Sequence, residues 1–190
     1  MKKEIRLHGR GGQGAKMAAS ILASAFVAED KYAASFPMFG FERRGAPVTS
    51  FVRFSDQAVR EKTQIYHPDC IIAIDSSQYK SPAVYEGLRP GGILVLNSSG
   101  PITEKPHVNL EKVGTVDATM IAFEEMGAPI ANSCMLGSFA YITGWVSLGS
   151  VIDALAQFFE GEALRKNRRI VERGFGETKI SGFENSRNRL

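Results

Sequence analysis

The tightest constraint on this chain is the run "EIRLHGRGGQGAKMAASILASAFV" at residues 4–27. Its first part, "IRLHG", predicts a short strand. Residues 13–30, "QGAKMAASILASAFVAED", are rich in Ala with apolar residues at helical spacing and predict a helix. Between them lie Gly9, Arg10, Gly11, Gly12, Gln13 and Gly14. Glycine permits positive φ and close backbone approach, and the start of a helix offers free N–H groups and a positive dipole end to an anion. Gly9, Gly11 and Gly14 fit the spacing G-x-G-x-x-G. On spacing alone, a tight turn without a ligand and an anion-binding loop are equal readings. Arg10 inside the loop and Gln13 at the helix start favour the anion, since Ser or Asn would serve a mere turn.

Two familiar versions of such a loop are excluded. A nicotinamide dinucleotide site needs a second strand ending in Asp or Glu about 20 residues on, to hold the ribose. Here Glu29 and Asp30 close the helix instead, and "KYAASFPMFG" follows with Pro37 and no acid. A Walker A loop needs Gly-Lys followed by Ser or Thr, which is missing.

Downstream, "KYAASFPMFGFERRGAPV" is too long and irregular for a plain connector. "VTSFVRFS" alternates like a strand, while "CIIAID" and "ILVLN" are continuous apolar runs typical of strands buried on both faces. "SPAVYEGL" predicts a short helix with Pro82 in its first turn, and "TVDATMIAFEEMG" a helix stopped by Gly127. "NSCMLGSFAYITGWV", "SVIDALAQFFE" and "GEALRKNRRIVERGF" predict further helices. Strands alternating with helices predict an α/β fold, a Rossmann-like parallel sheet with helices on both faces. One domain is expected over residues 1–176, followed by a polar tail at 177–190.

Composition narrows the function classes. The 190 residues suit a single core, and 23 Lys and Arg against 20 Asp and Glu give +3, too balanced to argue for nucleic acid. No apolar stretch reaches a bilayer span and no signal peptide is evident, so a cytoplasmic protein away from the membrane is expected. Cys70 and Cys134 stand far apart without a C-x-x-C pattern, which argues against a metal or cluster site and for buried thiols.

The runs "HGRGGQGAKMAASILASAF" and "FPMFGFERRGAPVTSFVRFSD" closely resemble the gamma subunit of the 2-oxoacid:ferredoxin oxidoreductases, of the pyruvate synthase type. The likeness continues through "PDCIIAID", "LRPGGILVLNSS", "GAPIANSCMLGSFA" and Asn167, and spans residues 4–176. The resemblance implies a complex that oxidatively decarboxylates a 2-oxoacid to an acyl-coenzyme A. Thiamine diphosphate would sit on alpha and beta subunits, and [4Fe-4S] clusters on beta or on a ferredoxin-like delta chain. Electrons would leave to ferredoxin, or to NAD through a flavin subunit. The gamma chain would hold neither cofactor, show no activity alone, and contribute to the coenzyme A site. Pyruvate is the expected substrate, with phenylglyoxylate, 2-oxoglutarate or a branched-chain 2-oxoacid as alternatives. A free-standing nucleotide-binding protein and a structural adaptor are the competing classes.

Under this resemblance the expected coenzyme A contacts are Gly9, Arg10, Gly11, Gly12, Gln13, Gly14, Arg43, Arg44 and Asn132. Guanidinium groups bind phosphate bidentately, which makes Arg43 and Arg44 candidates; a salt bridge to Glu42 or to a partner subunit is their alternative. Asn132 opens a helix and is expected first as its N-cap. Asn167 is expected as a helix-surface contact and His8 as a hydrogen-bonded structural histidine. Asp75 is expected to orient a loop at the carboxyl edge of the sheet. Phe36, Phe39 and Phe41 are expected to pack against another subunit. No residue has the pattern of a catalytic group.

Overall fold

The computed structural model of the chain describes residues 1–38, 45–61 and 63–182. The glycine-rich run folds as its pattern demands, from β1 (Lys2–Arg10) through a turn into α1 (Ala15–Val27). Two strands follow, β2 (Tyr32–Pro37) and β3 (Pro47–Ser55). Then come β4 (Cys70–Ala73), a 3-10 helix at Pro82–Tyr85, β5 (Gly92–Asn97) and β6 (Leu110–Val116). The chain continues through α2 (Ala118–Met126), α3 (Asn132–Thr143), α4 (Leu148–Ala154) and α5 (Gly161–Glu177) to β7 (Lys179–Gly182).

These strands form one sheet of order β2-β3-β1-β4-β5-β6-β7. Its centre, β1-β4-β5-β6, is parallel, whereas β2, β3 and β7 run antiparallel. The α/β architecture agrees with the sequence; the edges depart from an all-parallel sheet. The segment from Lys31 enters the sheet as edge strand β2, where the missing N–H of Pro37 is harmless. The segment read as tail begins with β7, which pairs Lys179–Gly182 with β6; residues 183–190 lie outside the described residues. Thr115 and Val116, read as helix, complete β6, and α2 starts only after Asp117, whose carboxylate accepts from Met120 N–H at 3.0 Å.

The two faces are covered differently. Ile5, Leu7, Cys70, Ile72, Ile93 and Val95 face a large core shared with α1, α3, α4 and α5. The other face is expected to carry helices too, but Ile71, Ala73, Leu94 and Leu96 pack there beneath the 3-10 helix and its loops. The run "SPAVYEGL" allows only that one short turn, because Gly87 takes φ +71° and ends it. On the helical side α3 and α5 cross at backbone distance. A Cβ on Gly137 would lie 2.0 Å from the carbonyl oxygen of Val171, and one on Gly174 2.2 Å from that of Cys134.

Candidate functional site

The carboxyl ends of β1 and β4 lie side by side, and the chain leaves them in opposite directions. From β1 it crosses through α1 toward the β3 side; from β4 it goes on to β5. Open α/β sheets bind ligands at such a switch point. The glycine loop sits there, over the end of β4.

Backbone geometry shows why glycines are needed. Gly12 adopts φ +98° and Gly14 φ +77°, both left-handed. Gly14 occupies the N-cap of α1 with no side-chain cap, so the first N–H groups of the helix are left without an intrahelical partner. The space around Gly14 is also full, for an added Cβ would meet Asn132 Nδ2 at 2.5 Å.

Five polar side chains, Arg10, Gln13, Asp75, Ser77 and Gln78, hold the loop in shape. Gln13 Oε1 accepts from Arg10 N–H at 2.8 Å, and Gln13 Nε2 donates to Asp75 Oδ2 at 2.9 Å. Arg10 Nε donates to the same oxygen at 3.2 Å, Nη2 to Ser77 Oγ at 2.9 Å and Nη1 to the Gly45 carbonyl at 3.2 Å. Gln78 Nε2 closes the set by donating to the Gly9 carbonyl at 2.9 Å. Burial alone would raise the Asp75 pKa, but hydrogen bonds from Ser77 and Gln13 and the charge of Arg10 outweigh it and hold the carboxyl below its usual range. Arg10 and Gln13 are therefore clamps on the loop, and Asp75 is the post they share.

An open pocket of about 470 Å³ lies against the loop, between the first turn of α1, the start of β3 and Phe158. Gly11, Gly12, Gly14 and Lys16 line it. Lys16 is exposed on the first turn of α1, has no ion pair among the described residues, and adds a cation to the helix dipole. Sequence reasoning overlooked it; its place two residues after the last loop glycine was the available signal.

The other expected residues divide. Gly9, Arg10, Gly11, Gly12, Gln13 and Gly14 are brought together as one loop. Arg43, Arg44, Phe39 and Phe41 lie outside the described residues. Asn132 is not an N-cap: Ala131 holds that position, and Asn132 is the first residue of α3. Its Oδ1 accepts from Ser133 N–H at 2.9 Å and its Nδ2 reaches the Gly14 carbonyl at 3.4 Å, which brings the starts of α1 and α3 together. Asn167 is buried rather than on a surface, accepting from Ser133 Oγ at 2.6 Å and donating to the Ala163 carbonyl at 2.9 Å. His8 Nε2 is buried and has no hydrogen-bond partner among the described residues. Phe36 packs within the chain against Phe51, ring centroids 5.3 Å apart.

Residues 4–177 match the family model described as pyruvate ferredoxin/flavodoxin oxidoreductase. The chain belongs to this family. Within this oxidoreductase family it is of the gamma-subunit type, and its relatives align along nearly their whole lengths. It is 46% identical over 183 residues to the "NADH-dependent phenylglyoxylate dehydrogenase subunit gamma" of Aromatoleum evansii, covering 95% of this chain and 96% of that one. It is 47% identical over 180 residues to the "Pyruvate/ketoisovalerate oxidoreductases common subunit gamma" of Thermococcus kodakarensis, covering 93% and 97%. Among solved structures, pyruvate oxidoreductase subunit PORC from Thermotoga maritima superposes with a TM-score of 0.83 at 38% identity, over 95% of this chain and 98% of that one. At 19% identity, the 2-oxoglutarate:ferredoxin oxidoreductase of Magnetococcus marinus shares the fold, with a TM-score of 0.75 over 92% of this chain and 30% of that one.

Proposed function

We propose that the chain serves as the gamma subunit of a cytoplasmic, thiamine diphosphate- and iron–sulfur-dependent 2-oxoacid oxidoreductase and holds a phosphate of coenzyme A at its glycine loop. The observation that carries this reading is the pair of left-handed glycines, Gly12 and Gly14, opening the start of α1 onto a pocket at the switch point of the sheet. The residues present fit the diphosphate of coenzyme A. Backbone N–H groups at the loop and the first turn of α1 would donate to it, and Lys16 would balance its charge. Arg10 contributes by shape, since Asp75 already takes its charge.

Coenzyme A supplies the thiol that accepts the acyl group. This chain's part is to hold the carrier: the loop binds, the Arg10–Asp75–Gln13 clamp orients the loop, and Asn132 sets its distance from α3. Thiamine diphosphate and the clusters belong on alpha, beta and delta subunits. The chain's own thiols are poor cluster ligands, because burial pushes Cys70 well up and Cys134 to about 12. Pyruvate is the proposed 2-oxoacid, and ferredoxin or an NAD-linked flavin subunit the proposed acceptor. A relative named as common to pyruvate and ketoisovalerate enzymes supports placing substrate choice on other subunits.

The test is Gly12→Ala in the reconstituted complex. An added Cβ there meets nothing within 4 Å among the described residues, so their packing is spared while the loop is forced from its left-handed turn. The apparent KM for coenzyme A should rise with that for the 2-oxoacid unchanged. An assembled variant with unaltered coenzyme A dependence would leave the loop as a turn only.

A further inference from the structure

On the face of the sheet that carries no α-helix, β1 and β3 present Glu4, Arg6, His8, Thr49, Phe51 and Arg53 side by side. Two of these are buried arginines, and they are treated differently. Arg53 donates through Nε to Glu4 Oε1 at 2.7 Å, and Arg89 takes the other oxygen of Glu4 at 3.2 Å. Arg6 is only 8% exposed, yet has no carboxylate partner among the described residues. Its Nη2 donates to the carbonyls of Val84 and Glu86 at 2.7 and 2.9 Å, and its Nε is buried with no partner among the described residues. His8, next on the same face, has Nε2 buried and likewise without a partner among the described residues. Burial and the charge of Arg6 push its pKa down to about 3, so the ring stays neutral and supplies one N–H.

Both residues line a cavity of about 680 Å³, walled by the 64–67 segment and the end of the 3-10 helix. Its rim carries Tyr66, 65% exposed, and Met38, 47% exposed. A buried guanidinium is costly unless paired; Glu86 at the cavity wall lends Arg6 some opposite charge, but among the described residues no carboxylate oxygen comes within ion-pair distance of it. Exposed Tyr and Met around a buried Arg is the residue mix of a protein interface.

We propose that this cavity receives an Asp or Glu side chain of a neighbouring subunit, its carboxylate pairing with Arg6 and accepting from His8 Nε2–H. Tyr66 and Met38 then cover the backbone around that side chain and exclude water from the pair. The inference rests on the chain's being a subunit of a complex. The glycine-loop pocket shares only Thr49 with this cavity and plays no part in the pairing.

The test measures association of the full-length chain with the remaining subunits, using Arg6→Met, Arg6→Lys and Thr49→Glu. Thr49 lies directly across from His8 and diagonal to Arg6, within reach of a long side chain. A glutamate there would supply the missing carboxylate from within the chain. Thr49→Glu should raise the melting temperature of the isolated chain and weaken assembly by about thirtyfold or more, the scale of losing one side of a buried charge pair. Because this variant is the more stable one, its loss of assembly is not misfolding. Arg6→Met should also weaken assembly, and Arg6→Lys should restore it in part. Unchanged association of the folded Thr49→Glu and Arg6 variants would overturn the inference. So would sodium succinate stabilising the isolated wild-type chain but not Arg6→Met while assembly stays intact, since the site would then take a free carboxylate. Failure of the wild-type chain to assemble would overturn the complex reading and this one with it.

Discussion

Replacing Gly14 by Ala tests whether the loop is shaped by Asn132 as well as by backbone conformation. At φ +77° an L-residue is strained by about 1–2 kcal/mol. The new methyl would lie 2.5 Å from Asn132 Nδ2 and 3.0 Å from its Cγ, so the amide must leave and its bond to the Gly14 carbonyl is lost. A neutral hydrogen bond contributes about 0.5–1.5 kcal/mol. The total is about 1.5–3.5 kcal/mol, which lowers the melting temperature of a chain this size by roughly 3–14 °C. Thermal and urea melts of the isolated chain would read it. In Asn132→Ala the clash disappears, because the remaining Cβ sits 3.4 Å away, in ordinary contact. Gly14→Ala should therefore cost about 1 kcal/mol less in that background. Costs additive within about 0.5 kcal/mol would refute the argument that the two residues shape each other.

Other substitutions check other parts of the account. Gly137→Ala would drive a methyl to 2.0 Å from the Val171 carbonyl, so it should destabilise by about 3 kcal/mol or more in a denaturant melt. Glu29 accepts from Ser147 N–H at 2.6 Å and from Lys31 at 2.8 Å; burial would raise its pKa, but these bonds win and lower it to about 2. Its contribution is full above the unfolded carboxylate range and is lost as pH falls toward 2, so Glu29→Gln should flatten that part of an acid titration. His8 takes a proton near 6.5 when unfolded but only at about 3 when folded, so the isolated chain should lose stability as pH falls between those values. His8→Gln should remove that slope in melts run across the range.

The parts legible in the sequence are those written locally. The strand, glycine turn and helix at residues 4–27 needed only neighbouring residues, and so did the buried runs of β4 and β5. What the sequence hid depends on distant partners. β7 is four residues long and is a strand only because β6 offers it an edge. β2 alternates weakly and is held by β3. The site divides in the same way. Its glycines are visible as a spacing, but the clamp joins Arg10 and Gln13 to Asp75, 65 and 62 residues away. Asn132 looks like a cap from its neighbours; only the fold brings it against Gly14. The missing partner of Arg6 is likewise invisible until Glu4 is seen to be taken by Arg53 and Arg89.

The most direct test of the central claim compares coenzyme A with phosphate-free pantetheine as acyl acceptors in the reconstituted complex, for wild type, Gly12→Ala and Lys16→Ala. If the loop and the start of α1 hold a coenzyme A phosphate, both variants should lose kcat/KM with coenzyme A. For Lys16→Ala the loss should be about tenfold or more, the scale of a charge-assisted hydrogen bond. With pantetheine, both should match wild type. Equal losses with the two acceptors, or none with either in an assembled complex, would contradict the assignment.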